Sequence, residues 1–322
     1  MVRIRRCVLA VLALLACAPA FPQPYPARPI RFVVPFPPGG GVDIVARALQ
    51  EKLSAQLKQP VVVENKPGAG TTIGTEAVAK AAPDGYTLLV GPIGGQAIVG
   101  LLNTKLAFDM RRDFAPVSRV GYGTVAFVVP AASPAKSVQE FVALAKATPG
   151  RLTFASSGTG ALIHLTGEMF QQAAAIRLTH VPYKGTTQIL PDLLDGRVDM
   201  ALDSLPAYLP HLQSGKLRAL AVASRARSNV VPDLPTMAEA GYPGVVSATD
   251  YAVFAPAGTP KDIIALLNRV VAEALQAPDL RAKFAKLGIE PSASTPEALR
   301  AELLEEFAKW GKVIRDGNIR TE

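Results

Sequence analysis

Val34-Pro35-Phe36-Pro37-Pro38-Gly39-Gly40-Gly41-Val42 decides how this chain is to be read. Before it stands Ile30-Arg31-Phe32-Val33-Val34, a β-branched apolar run that reads as a buried strand. After it, Val42, Val45, Ala46, Leu49, Leu53 and Leu57 recur at helical spacing. The segment is therefore a strand, a small rigid loop and a helix. Prolines stiffen the loop, and glycines strip away side chains so that backbone N–H groups can approach a ligand. The helix adds its free N-terminal N–H groups and the positive end of its dipole. A tight turn also needs glycine, but seven small or rigid residues in a row exceed that need. Phe36, Pro38, Gly39 and Gly40 are taken as candidate ligand contacts.

The same alternation runs along the chain. Strands are expected at 61–63, 86–90, 125–129, 152–155, 178–181, 198–202, 217–223 and 251–255. Helices are expected at 73–81, 138–147, 161–175, 188–194, 261–276 and 296–315. Alternating strands and helices imply mostly parallel sheets covered by helices. The strands are too many for one small sheet, and 322 residues suit two α/β lobes better than one core. Chain crossings near 121–124 and 247–251 give a discontinuous first lobe, 24–122 plus 250–322, and a second lobe, 123–249.

In open parallel sheets ligands sit beyond the carboxyl ends of the strands. Ser156-Ser157-Gly158-Thr159-Gly160, before the 161–175 helix, repeats the first loop's design in the second lobe and adds hydroxyl donors. Two such loops, one per lobe, suggest one anion held across a cleft. Further candidate loops are 91–96 with Gly91, 184–187 with Lys184, 203–204 with Asp203, and 250–251 with Asp250. His164, one turn into the helix after the second loop, either faces the cleft or is structural. Asp43 and Arg47 are spaced for a helix salt bridge.

Several functions find no support in these residues. Gly68-Ala69-Gly70-Thr71-Thr72-Ile73-Gly74 places its third glycine one residue late for a dinucleotide fingerprint. His164, His180 and His211 lack metal-ligand spacing, so no metal and no cofactor are expected. No G-x-S-x-G elbow occurs. A hydrolase using Ser156 or Ser157 with His164 is the enzymatic alternative, and it lacks a convincing triad. With 49% hydrophobic and 19% charged residues the composition is globular rather than disordered.

The first residues differ from the rest. Arg3, Arg5 and Arg6 precede an apolar run from Cys7 to Ala18, the pattern of a secretory signal. Ala18-Pro19-Ala20 offers a cleavage site, and Leu14-Leu15-Ala16-Cys17 offers a lipobox-like alternative with Cys17 lipidated. Both cysteines lie in this segment, so cleavage at Ala20 leaves no disulfide and no thiol nucleophile. The formal charge of +8 falls to +5 without the three arginines. That charge is spread out, with no basic block interleaved with aromatics, so no nucleic-acid partner is expected.

At these loops the chain resembles the Bug family, the extracytoplasmic receptors of tripartite tricarboxylate transporters. The resemblance is carried by Pro29-Ile30, by 34–40, and by Asp43 with Ala46-Arg47. It continues in Val61-Val62-Val63-Glu64-Asn65-Lys66-Pro67-Gly68-Ala69-Gly70 and in Pro83-Asp84-Gly85-Tyr86-Thr87-Leu88-Leu89. His180-Val181-Pro182-Tyr183-Lys184-Gly185, the 215–222 segment, Pro235-Thr236 and Ala255-Pro256-Ala257-Gly258-Thr259-Pro260 extend it along the mature chain. It implies a two-lobed, type II (Venus-flytrap) periplasmic binding fold and a non-enzymatic, monomeric receptor. It also implies a ligand carboxylate held by the first and second loops through backbone groups and water. The partners implied are membrane transporter subunits or, alternatively, a signalling partner. Family ligands include di- and tricarboxylates, acidic amino acids and aromatic carboxylates.

The chain departs from the family at Ala161, where serine is usual, at Gln188-Ile189, at Val99-Gly100, and at Asp250, where tryptophan is usual. Asp250 is expected either to face the distal end of the ligand, selecting an amine, amide or hydroxyl, or to be a surface hinge residue.

Overall fold

A computed structural model describes residues 25–103 and 105–319. The signal segment expected from the sequence, with Cys7, Cys17 and Ala20, lies outside the described residues. Among the described residues no helix is long and apolar enough to cross a membrane.

The first sheet grows from β1 (Ile30–Val34), which is flanked in parallel by β2 (Val61–Asn65) and β3 (Thr87–Pro92). Between them run α1 (Gly41–Leu57) and α2 (Thr72–Ala79), and α3 (Ile93–Leu102) follows β3. The second sheet has β5 (Thr153–Ser156) between parallel β6 (Thr179–Pro182) and β7 (Met200–Ser204). Its helices are α4 (Val138–Ala147), α5 (Leu162–Ala174), α6 (Thr186–Leu194) and the short α7 (Leu209–Gln213), with β8 (Leu217–Val222) after them.

One long strand joins the sheets. β4 (Phe114–Pro130) pairs antiparallel with β9 (Ala248–Pro256) from Phe114↔Pro256 to Thr124↔Ala248. From Val125 onward β4 pairs with β7 and β8 instead. α8 (Lys261–Ala274), α9 (Pro278–Lys286), β10 (Ile289–Pro291) and α10 (Pro296–Asp316) close the chain, β10 pairing with β4 at Gly121–Gly123. Each sheet is mixed. The strands that carry the glycine-rich loops are parallel, and the crossing strands β4 and β9 are antiparallel to their neighbours.

Both sheets are covered on two faces. In the first, Val45, Leu49, Leu53, Leu267 and Val271 pack with Ile30, Phe32 and Val90, while Ile93, Leu299 and Leu303 pack with Val33, Leu89 and Phe254 on the other face. In the second, Phe127, Phe141, Phe154 and Phe170 form an aromatic core whose edge-to-face pairs lie 5.1 Å apart. Trp310 and Val313 of α10 and Ile98 of α3 join that second core, so these two helices span both sheets behind the crossing strands.

Several elements are absent from the sequence-based expectation. α3 opens with Gly94 and Gly95 and reads as a loop. The first half of β4 carries Pro116, Gly121 and Gly123, with register shifts between Pro116 and Ser118 and between Arg119 and Gly121, which break its alternation. α9 buries only Leu280 and Phe284, too few to give a stripe.

Gly167 shows how tightly α5 sits on β5. A methyl group there would stand 2.4 Å from the Phe154 ring, whose side chain is fully buried. Helix propensity favours alanine over glycine by about 1 kcal/mol, but overpacking a dense core costs about 1–3 kcal/mol. Gly167→Ala is therefore expected to lower stability, read as a lower urea midpoint, despite improving the helix former.

Candidate functional site

A cleft between the sheets encloses about 770 Å³ counted out to its mouth. Its walls include the N-terminal residues of four helices that each follow a parallel strand. These are Gly40, Gly41 and Val42 of α1, Pro92 and Gly95 of α3, Gly160 to Ile163 of α5, and Gly185 to Thr187 of α6. None of the four ends has a side-chain cap. Away from the cleft, α4 is capped by Ser137, which accepts from Glu140 N–H at 3.1 Å, and α10 by Thr295, which accepts from Ala298 N–H at 3.1 Å. Each uncapped end leaves N–H groups without an intrahelical partner and a partial positive charge facing the cleft. No Lys, Arg or His lines the cavity.

The first loop is held rigidly. Asn65 at the end of β2 donates to the Phe36 carbonyl at 3.0 Å and to Asp43 Oδ1 at 2.9 Å. Asp43 Oδ2 accepts from Gly39 N–H and from Arg47 Nε, each at 2.9 Å, which makes the expected salt bridge part of a network. Burial pushes the Asp43 carboxyl up, but hydrogen bonds from Arg47, Gly39 and Asn65 outweigh it and hold the group below the usual carboxylate range. Gly39 thus gives its N–H to Asp43, not to the cleft. Gly41 must be glycine for another reason: a methyl there would stand 2.9 Å from the Tyr251 hydroxyl and 3.3 Å from Ser204 Oγ.

The second loop engages three of its own donors. Gly158 N–H bonds Ser156 Oγ at 3.2 Å, Gly160 N–H bonds His164 Nδ1 at 3.1 Å, and Ala161 N–H bonds the Gly158 carbonyl at 3.0 Å. Ser156 is fully buried, and its hydroxyl lies 2.6 Å from His180 Nε2 rather than near His164. The two imidazoles stack 4.1 Å apart. Burial pushes both down to about 4, with His180 adding to the effect on His164, so both are neutral at pH 7. This cluster props the loop from behind.

Of the residues expected at the site, Phe36, Gly40, Ser157, Gly160 and Asp203 line the cavity. Pro38, Gly39, Thr159 and Lys184 are exposed and are not among the residues that line the cavity. Gly91 is buried inside β3, beside the Gln96 amide, and Ser156, Gly158 and His164 lie behind the second loop. Other residues of the flagged 91–96, 184–187, 203–204 and 250–251 loops that reach the cavity are Pro92, Gly95, Gly185, Thr186, Thr187, Ser204 and Tyr251. Thr71 and Thr249 line it as well and were not singled out from the sequence, and Val99, noted there only as a departure from the family, also lines it. Asp203 is fully buried and raised by that burial, although Ser204 N–H donates to it at 2.6 Å and the Tyr208 hydroxyl at 2.8 Å.

Asp250 requires a correction. Successive side chains on a strand point to opposite faces. Thr249 and Tyr251 face the cavity, so Asp250 between them faces away, toward α10. It does not line the cavity, and at 8% exposed it is not a surface hinge residue. Its Oδ1 has no hydrogen-bond partner. Burial pushes its carboxyl up to about 7, and Glu306 and Glu302 of α10 add to the rise against Lys309 and Arg119. A carboxyl raised in the folded state favours folding while protonated, and that contribution is lost as pH rises from about 4 through about 7. Asp250→Asn is therefore expected to stabilise the protein at pH 8 by on the order of 2–4 kcal/mol relative to its effect at pH 4. Urea unfolding at the two pH values checks this, and ligand affinity is expected to stay unchanged.

With this geometry in view, the relatives are informative. Residues 45–319 match the model of the tripartite tricarboxylate transporter family receptor. The chain is 43% identical over 300 residues to Protein BugT of Bordetella pertussis, covering 93% of this chain and 92% of that protein. Among solved structures, the periplasmic binding protein BugD is 34% identical, with a TM-score of 0.86 over 92% of this chain and 100% of that one. Rpa4515 of R. palustris, solved with adipate, is 35% identical, with a TM-score of 0.87 over 92% of this chain and 99% of that one. MatC of Rhodopseudomonas palustris, solved with malate, is 35% identical, with a TM-score of 0.84 over 90% of this chain and 100% of that one. A two-lobed fold, uncapped helix ends facing one cleft and similarity along nearly the whole chain agree: this protein belongs to the tripartite tricarboxylate transporter receptor family, among the Bug-type periplasmic solute-binding proteins.

Proposed function

We propose that the protein captures a small carboxylate-bearing molecule outside the cytoplasm and delivers it to the membrane subunits of a tripartite tricarboxylate-type transporter. The observation that carries this reading is the convergence of four uncapped helix N-termini on a cleft without a basic side chain. Such a site suits an anion whose charge is met by oriented N–H groups. A charge-assisted hydrogen bond contributes about 1.5–3 kcal/mol, against about 0.5–1.5 for a neutral one. Four of them support micromolar or tighter binding after ordering costs. Adipate on Rpa4515 and malate on MatC support the same ligand class.

In this reading residues 24–122 with 250–322 form one lobe and residues 123–249 the other, with the hinge in β4 and β9. The lobes close on the ligand: a methyl on Gly185 would stand 3.7 Å from Pro37, and one on Gly70 would stand 3.9 Å from the Thr159 carbonyl. The protein acts without catalysis. Ser157 reaches the cavity without a histidine, while Ser156 and His180 are paired away from it.

Calorimetry of the mature chain against C4–C6 carboxylic acids and the matching amides tests this. The acids are expected to bind at least about 100-fold more tightly than the amides, since each bond loses about 1 kcal/mol when the charge is removed. Gly41→Val, which fills the space before Tyr251 and Ser204, is expected to fold but to lose acid binding. Equal affinity for acids and amides would overturn the reading.

A further inference from the structure

Thr71 combines two unfavourable features at the wall of the cavity. Its backbone is left-handed, φ +84° and ψ −9°, a conformation that glycine takes freely and a β-branched residue rarely adopts. Its hydroxyl is buried and has no hydrogen-bond partner. Strain and an unsatisfied polar group in one residue lining a ligand cleft point from structure to function.

We infer that the Thr71 hydroxyl reads an uncharged oxygen, a hydroxyl or a carbonyl, carried by the ligand in addition to the carboxylate; this rests on the carboxylate-receptor reading above. The surroundings define the chemistry. Thr71 N–H is engaged by the Gly68 carbonyl at 3.1 Å, and Thr72 N–H by the Ala69 carbonyl. The backbone donors beside the hydroxyl are therefore unavailable to share a full negative charge. No basic side chain lines the cavity to supply one. One hydroxyl remains, enough for one neutral oxygen and too little for a second carboxylate.

The Thr71 backbone is also held in place. Thr75 Oγ1 lies 3.0 Å from the Thr71 carbonyl and 3.0 Å from Gln96 Oε1. Its single proton serves only one of these, and the fully buried Gln96 has an amide nitrogen without a partner. Thr75 and Gln96 thus form a buried polar network behind Thr71, next to an otherwise apolar stretch of wall that includes Pro92 and Val99.

The test uses matched acids with and without the extra oxygen: succinate against malate, and glutarate against 2-hydroxyglutarate and 2-oxoglutarate. They are titrated calorimetrically into wild type, Thr71→Val, Thr71→Ser and Thr71→Gly. Wild type is expected to prefer the oxygenated member about 3- to 10-fold, the worth of one neutral hydrogen bond. Thr71→Ser is expected to keep that preference. Thr71→Val, which keeps the branch and the strain, is expected to abolish it. Thr71→Gly is expected to abolish it while raising Tm, because the strain is relieved. Should the pair ratio be the same in wild type and Thr71→Val, or equal to one in wild type, the inference is overturned and the carboxylate reading stands. Should no acid bind wild type, both fall.

Discussion

A negative charge enclosed between two lobes must be met by donors that are themselves fixed. In this protein the proposed donors are the uncapped first turns of helices that face the cleft. Burying an unpaired carboxylate is costly, and the cavity offers no Lys, Arg or His to neutralise one. The fold supplies the alternative. Parallel strands send their helices off from the same edge of each sheet, so α1 and α3 of one sheet and α5 and α6 of the other present their N-termini to a common space. Prolines, glycines and the Asp43–Arg47–Asn65 network hold the first loop, and the Ser156–His180–His164 cluster holds the second. Asp43, Arg47, His164 and His180 act behind the loops, as supports, while Asp203 lines the cavity.

The back of the molecule follows a different logic. β4 runs through both sheets beside β9 of the first, and α10 lies over them, contributing Trp310 and Val313 to the second core. Asp250 sits under that helix with Glu302 and Glu306 nearby and Arg119 and Lys309 opposing them. Arg119 is itself held to Glu302 at 2.8 Å and stacked 4.4 Å from the Tyr122 ring centre. The raised Asp250 carboxyl lies on this back face, away from the cavity.

Much of the architecture is legible in the sequence because its signals are local. The Pro35–Gly41 loop marks a strand end and a helix start, and Thr295-Pro296-Glu297 marks the start of α10. What is not legible depends on direction or on distant partners. Asp250 stands out in sequence as an aspartate where tryptophan is usual, yet the pleat of β9 turns it away from the cleft, and only the known partners of Thr249 and Tyr251 show this. Gly39, Gly158 and Gly160 look like donors, but Asp43, Ser156 and His164 already accept from the first, second and third of them. Thr71 hides inside a glycine-rich stretch, and its left-handed backbone has no sequence mark. α3 is missed because Gly94 and Gly95 in its first turn imitate a loop; the Gly94 space is needed by Glu306 and Trp310, 2.6 and 2.9 Å from where a methyl would stand.

The most direct test of the central claim is residue-resolved amide hydrogen exchange, with and without a saturating carboxylate that calorimetry has shown to bind. If the helix ends hold the anion, the N–H groups of Gly41 to Asp43 in α1 and of Leu162 to His164 in α5 gain protection together, one set in each lobe. Protection confined to one lobe, or a change at α10 with none at either helix start, would contradict the account.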